Sequence, residues 1–218
     1  MRFIPAKTPK LLKLLFPRYI WSLPASKSEK VIYLTFDDGP IPGVTEFVLN
    51  QLKLYDVQAT FFCIGDNIKK HPDIFKEIIQ NNHSIGNHTY HHLKAWKTDF
   101  KTYLDNIKKC QEEIQLHAPK LPQCKLFRPP YGHLSYSKFT ALRKMGFKII
   151  LWDVLAKDWI QDHPDENYYY KNVVNNATNG SIIVFHDSLK AEKNLKKTLP
   201  KILEYFTKRD YEFRRITF

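Results

Sequence analysis

The chain has 218 residues, of which 43% are hydrophobic, 14% aromatic and 26% charged; this fits one folded domain and excludes a disordered tail, a collagen and a coiled coil. A formal net charge of +12 raises nucleic acid or an anionic surface as a partner. The excess sits at the ends: residues 1–30 carry seven basic residues and one acid and residues 190–218 nine and four, while 31–189 are nearly balanced at 18 and 17.

The N-terminus, MRFIPAKTPKLLKLLFPRYIWSLPAS, is basic but interrupts its leucines with Lys13 and Pro17, so no continuous secretory h-region is readable. This points to a cytoplasmic or membrane-peripheral location, with action on the cell envelope left open. Leu11 to Phe16 reads as a cap over the core or, less commonly, as a short basic amphipathic turn on a membrane surface. Residues 1–30 are expected to be a basic extension packed on a domain spanning 31–218, with its charges solvated and residues 1–24 removable without loss of chemistry.

Seven short apolar runs then read as strands: VIYLTF (31–36), ATFFCI (59–64), HSIGNHT (83–89), KLFRPP (125–130), FKIILWDV (147–154), SIIVFHD (181–187) and YEFRRITF (211–218). Between them, residues 44–55, 73–80, 102–116, 137–145, 166–177 and 195–209 have helical spacing. Strands apolar on both faces that alternate with helices predict an α/β fold with a parallel sheet, and about seven repeats favour a distorted, TIM-like (β/α) barrel over an open sheet. No G-x-G-x-x-G follows the first strand, which weighs against a nucleotide site. No apolar run approaches the ~20 residues of a membrane-spanning helix. Cys63, Cys110 and Cys124 form no C-x-x-C pair and signal neither a disulfide framework nor a thiolate zinc site.

In such folds the chemistry gathers where strands end, and the polar residues closing these runs are Asp37-Asp38, His88 to His92, Arg128 to Gly132, Asp153 with Asp158-Trp159, and His186-Asp187. Adjacent carboxylates after a strand point to opposite sides, so one of Asp37 and Asp38 can bind a metal while the other takes a proton; D-D-G-P is equally good turn chemistry. His88 and His92, four apart, suit one helical turn that brings two imidazoles to an ion, and an Asp completes a three-ligand catalytic set with open positions. A solvated histidine cluster is the alternative. His91 faces elsewhere, and His71, His83, His117, His133 and His163 read as surface or turn residues. Arg128, ahead of two prolines, can orient a carboxylate or form a plain salt bridge. The Tyr131 backbone N–H lies where an oxyanion could sit. His186 suits a general acid if a carboxylate such as Asp158 raises its pKa, and Trp159 suits the flat face of a sugar or ordinary core.

Taken in order, T-F-D-D-G-P, H-T-x-x-H, R-P-P-Y-G, D-x-x-x-x-D-W and I-V-x-H-D resemble the motifs of the NodB-like polysaccharide deacetylases, carbohydrate esterase family four, from about Val31 to Phe218. The resemblance implies a distorted (β/α) barrel and metal-dependent removal of N-acetyl groups from carbohydrate. It makes Asp37 the general base, Asp38, His88 and His92 the metal ligands, and His186 the general acid. Arg128 would orient Asp37, Tyr131 would hold the oxyanion, Asp158 would tune His186, and Trp159 and Val184 would line the acetyl pocket. The metal implied is zinc, with cobalt or nickel able to serve. Val184 stands where leucine is frequent, and Leu155 where a further Asp often occurs. The substrate expected is a polymer containing N-acetylglucosamine, of peptidoglycan or chitin type, acted on by a monomer. Alternatives are an O-acetyl esterase of xylan-like polymers and a non-catalytic metal-containing carbohydrate binder. Nucleic acid is not expected, because the chain has no helix-turn-helix or aromatic RNA-binding signature.

Overall fold

The computed structural model describes residues 4–26, 28–120 and 125–218. Strand β1 (Val31–Asp37) is buried along its whole length, and its alternate residues enter two environments. Ile32, Leu34 and Phe36 join the core between sheet and helices, whereas Val31 and Tyr33 cluster with Phe62, Leu126, Ile150 and Ile182 on the inner face. Thr35 and Asp37 continue that inner row, so the two-residue period of the strand carries an acid into the interior at its carboxyl end.

Around β1 lie β2 (Thr60–Cys63), β3 (Ser84–Asn87), β4 (Lys125–Phe127), β5 (Phe147–Ile149), β6 (Val154–Leu155) and β7 (Ile182–His186). They pair in parallel in the order β5-β4-β3-β2-β1-β7-β6, and β8 (Glu212–Phe213) joins the start of β1. The sheet curls into a half-barrel. Its helices are α1 (Lys10–Leu15), α2 (Thr45–Leu54), α3 (Gly65–Lys70), α4 (Pro72–Gln80), α5 (Phe100–His117), α6 (Tyr136–Lys144), α7 (Tyr168–Val174) and α8 (Glu192–Thr207). Helix α5 starts at Asp99, whose side chain accepts from the Thr102 N–H at 2.9 Å and so satisfies one of the unpaired donors of the first turn.

The run 147–154 is not one strand: β5 and β6 lie at opposite ends of the strand order. A largely apolar run carries no mark of where the chain changes partner, so periodicity misses the break. In 211–218 only Glu212 and Phe213 pair as a strand. Helix α3 was not anticipated, because its six residues hold one large apolar side chain, Ile68.

Segments of the N-terminus span the gap between β5 and the opposite edge. Ile20 bridges Ile150, Ser22 bridges Ser181 and Lys7 bridges Val154. The Ile20 N–H donates to Ile149 O at 2.9 Å, the Leu151 N–H to Ile20 O at 2.7 Å, and the Leu23 N–H to Gly180 O at 2.9 Å. Tyr19 packs its ring 4.6 Å from that of Phe139, and Trp21 is buried. The leucines of α1 do not cap the core, since none of its residues is buried. Nor are the charges all solvated. Lys7 (2.7 Å) and Lys13 both pair with the buried Asp153, and the Ser181 hydroxyl donates to it at 2.5 Å. Burial alone would raise the Asp153 carboxyl; the hydrogen bonds from Lys13, Lys7 and Ser181 outweigh it and hold the group below its ordinary value.

The double variant Lys7→Met/Lys13→Met leaves that carboxylate buried without a cation. A stability loss of about 1–3 kcal/mol is expected by chemical denaturation, less than for a fully buried pair because both lysines keep contact with water. The Asp153 pKa is depressed by folding, so its contribution is complete above the unfolded value and lost as pH falls through the folded one. The gap between variant and parent should therefore close below about pH 4.

Candidate active site

Asp37 and Asp38 do not point to opposite sides. Asp38 has φ 86°, a left-handed conformation just past the strand end, and both carboxylates face the same imidazole: His88 Nε2 lies 4.0 Å from Asp37 Oδ2 and 3.7 Å from Asp38 Oδ1. The alternation rule fails here because it holds only for extended backbone. The turn is tied down by the Asn67 side-chain amide of α3, which donates to Asp38 O at 2.7 Å, and by the Gly39 N–H, which donates to Asp187 Oδ1 at 3.0 Å. A β-carbon at Gly39 would stand 1.9 Å from the Asp187 carboxylate, so glycine is required.

His88 and His92 sit in the loop after β3, not on a helical turn. Positive φ at Thr89 (65°) and His92 (53°) folds this loop back so that the two rings come within 5.1 Å, and His92 Nε2 lies 3.4 Å from Asp38 Oδ1. One ligand atom from each of Asp38, His88 and His92 lies within 4.8 Å of the others. The donor set fits a divalent cation on two further counts. Asp38 Oδ1 is buried without a hydrogen-bond partner, which is costly unless something positive meets it. His88 Nδ1 lies 2.7 Å from the Arg128 carbonyl oxygen, which makes Nδ1 the donor and leaves the Nε2 lone pair facing the cluster. Burial, working against the attraction of Asp37, lowers the His88 pKa to about 4 and keeps the ring in its neutral, ligating form.

Arg128 has no solvent exposure and stands inside the half-barrel. Its Nη1 donates to Asp37 Oδ1 at 2.6 Å and to Thr35 Oγ1 at 2.7 Å, its Nη2 donates to Leu151 O at 3.0 Å, and its guanidinium lies 4.0 Å from the Phe62 ring centre. Burial raises the Asp37 pKa, but the charge of Arg128, with those of His186 and of His88 when that ring is protonated, more than reverses this and leaves the carboxyl below its ordinary value.

Asp37 and His186 are register partners on adjacent parallel strands, so both side chains emerge on one face. His186 Nδ1 lies 2.8 Å from Asp158 Oδ1, and Asp158 Oδ2 accepts the His186 backbone N–H at 2.7 Å. Burial lowers the imidazole pKa; Asp158, with help from Asp38 and Asp37, outweighs it and brings the pKa up to about 9. Trp159 stands edge-on to His186 at 4.8 Å, and Val184 lies two residues before it on the same face, buried. Tyr131 has φ 63° in a short turn after β4, and its ring lies 4.9 Å from that of His92.

The structure thus gathers Asp37, Asp38, His88, His92, Arg128, Tyr131, Asp158, Trp159, Val184 and His186 at the carboxyl ends of the strands. Asp153 is not among them, being held by the N-terminal lysines. Of the other histidines, His91 turns away to Asn106, 2.9 Å from its amide, while His83 is buried and accepts the Ala59 N–H at 3.2 Å instead of lying at the surface. Thr35, Asn67 and Asp187 were not foreseen as supports. Asp187 follows His186 directly and Thr35 opens the T-F-D-D-G-P run, whereas a lone Asn67 reaches its partner only through the fold.

The sequence model of the polysaccharide deacetylase family matches residues 25–150. A peptidoglycan-N-acetylglucosamine deacetylase of Bacillus cereus is 32% identical over 198 residues, which cover 88% of this chain and 88% of that protein. This chain belongs to the polysaccharide deacetylase family. The peptidoglycan-N-acetylmuramic acid deacetylase PdaA of Bacillus subtilis is 29% identical over 213 residues, 97% of this chain and 80% of that one. Among solved structures, the Bc1960 peptidoglycan N-acetylglucosamine deacetylase superposes with a TM-score of 0.85 at 30% identity, covering 96% of this chain and 95% of the other. The protein is a deacetylase enzyme with the (β/α) barrel fold of its family.

Replacing Arg128 by Met leaves Asp37 as an uncompensated buried charge. A loss of about 3–5 kcal/mol in unfolding free energy is expected, against little change for an exposed arginine such as Arg143→Met, as read by denaturant titration.

Proposed function

We propose that the protein hydrolyses the N-acetyl group of N-acetylglucosamine units in a peptidoglycan-type polysaccharide. The observation that carries this reading is the pairing of Asp37 with His186, side by side on β1 and β7, against the Asp38–His88–His92 cluster. The names of the similar proteins support the polymer class.

Asp38, His88 and His92 would hold a divalent cation, zinc or in its place cobalt or nickel, which when bound acidifies water and polarises an acyl oxygen. Asp37, kept ionised by Arg128, is the base that takes a proton from the attacking water. As the water oxygen bonds to the acyl carbon, the Tyr131 backbone N–H donates to the developing oxyanion. His186, held protonated by Asp158, gives its proton to the amine as the C–N bond breaks, leaving acetate and a free amino sugar. Trp159 and Val184 form the apolar wall against the acetyl methyl, and the shielding they give strengthens the charges around the reacting carbon.

The deciding experiment measures acetate release from peptidoglycan fragments, chitooligosaccharides and acetylxylan with zinc, cobalt and nickel. Acetate and new amine from the first two are expected; none from any substrate would sink the reading, and release confined to acetylxylan would replace it with O-acetyl ester hydrolysis. Asp37→Asn should lose about 10²–10⁴-fold in kcat while still binding metal by calorimetry, whereas His92→Ala should lose metal first. Loss of metal in Asp37→Asn would exchange the roles of the two aspartates.

The pH profile is a separate check. His186 acts only when protonated and its pKa is raised to about 9, so activity should fall as pH rises through about 9. In Asp158→Asn, which removes the main charge raising that value, the alkaline fall should move to lower pH. An unmoved fall would assign it to another group.

A further inference from the structure

We infer that Trp96 and Tyr131 form a sugar-binding shelf outside the acetyl pocket, and that Lys94 on its rim favours a sugar ring bearing a carboxylate. This rests on the proposed carbohydrate substrate and names which neighbouring unit the site would select.

Trp96 and Tyr131 are 53% and 52% exposed, an unusual outlay of aromatic surface to water beside a reacting centre. Their ring centres lie 5.4 Å apart with planes at 75°, which makes an open corner. Tyr131 connects that corner to the cluster through His92 at 4.9 Å, and the His133 ring also meets Trp96, at 5.6 Å. The apolar face of a pyranose matches such a surface, and the ring placed there would be a neighbour of the unit being deacetylated.

The corner is held in place by its supports. Lys138 on α6 is buried and donates its ammonium to Ala95 O at 2.5 Å and Thr98 O at 2.6 Å, so both sides of Trp96 are clamped by one cation. The Lys97 N–H and the Thr98 hydroxyl both donate to Lys94 O, at 3.0 and 2.9 Å, and close a tight turn around it. A turn whose backbone is held in this way has little further freedom to lose when a ligand covers the ring it carries. Lys94 is exposed, with its ammonium 5.2 Å from the centre of the Tyr131 ring. An anionic substituent on a ring lying in the corner would meet that charge. In a glycan strand of alternating N-acetylglucosamine and N-acetylmuramic acid, the lactyl carboxylate is such a substituent.

The test compares Trp96→Ala and Lys94→Gln with the parent on three substrates: chitotetraose, which is neutral; a glycan strand stripped of its peptides, which carries lactyl carboxylates; and 4-nitrophenyl acetate, too small to reach the shelf. Trp96→Ala should raise KM about three- to tenfold on both glycans with kcat nearly unchanged, and leave the ester untouched. Lys94→Gln should raise KM only on the carboxylated strand, and added salt should erase the parent's preference for it. An equal loss on the ester would make Trp96 a support for His92 and overturn the shelf; so would unchanged KM on both glycans. Equal effects of Lys94→Gln on the two glycans, or none, would overturn the carboxylate preference. If the parent releases no acetate from either glycan, the proposed activity fails, and the shelf is decided by quenching of tryptophan fluorescence on titration with the two glycans. Quenching that disappears in Trp96→Phe supports the shelf, and quenching that persists unchanged, or none in the parent, refutes it.

Discussion

A guanidinium with no access to water stands at the centre of this half-barrel, and most of the site is arranged by what that charge requires. Arg128 must be met by a counter-charge and by hydrogen-bond acceptors, and it finds Asp37, Thr35 and the Leu151 carbonyl, on β1 and on the chain leaving β5. One oxygen of Asp37 is thereby fixed and the other is left facing His88. The backbone of the same arginine positions that histidine, since its carbonyl takes the Nδ1 proton. One residue therefore sets the charge of the acid and the tautomer of its neighbour. The same network reaches the N-terminal segment, because Leu151, which accepts from Arg128, donates its own N–H to Ile20.

Two histidines a short distance apart are driven to opposite protonation states by their second partners. His88 has a backbone carbonyl behind it and is enclosed, so the neutral ring wins and its pKa falls to about 4. His186 is also enclosed, but a carboxylate stands behind it and the cation wins, with a pKa near 9. A neutral imidazole suits a ligand and a charged one suits a proton donor. The division of labour in the proposed reaction thus comes from what touches the far nitrogen of each ring.

The positive charge of the whole chain bears little on this centre. Two of the lysines in the N-terminal segment neutralise Asp153, a buried acid between the two edges of the sheet. Others are paired along helices or face water, as with Lys196 and Glu192 on α8. A net charge read as a sign of nucleic acid is, at these positions, part of how an incomplete barrel closes.

The sequence by itself determined the alternation of strands with helices, the α/β class with its parallel sheet, and the set of polar residues at the strand ends. These follow from local pattern: a run such as VIYLTF is apolar on both faces, which suits a strand covered on both sides, and a polar residue closes it. It also fixed which side chains share a face, as with Asp37 and His186, once their strands are adjacent. Only the tertiary structure decided that adjacency, the break of 147–154 into two edges, the left-handed turns that bring Asp38 and His92 to the same point as His88, and the use of Thr35 and Asn67 as supports. Such features depend on contacts between residues far apart in the chain, where neither period nor propensity has a reach. Trp96 marks the same boundary: in the sequence it is one tryptophan among four, and only its clamped exposure beside Tyr131 and His92 gives it a use.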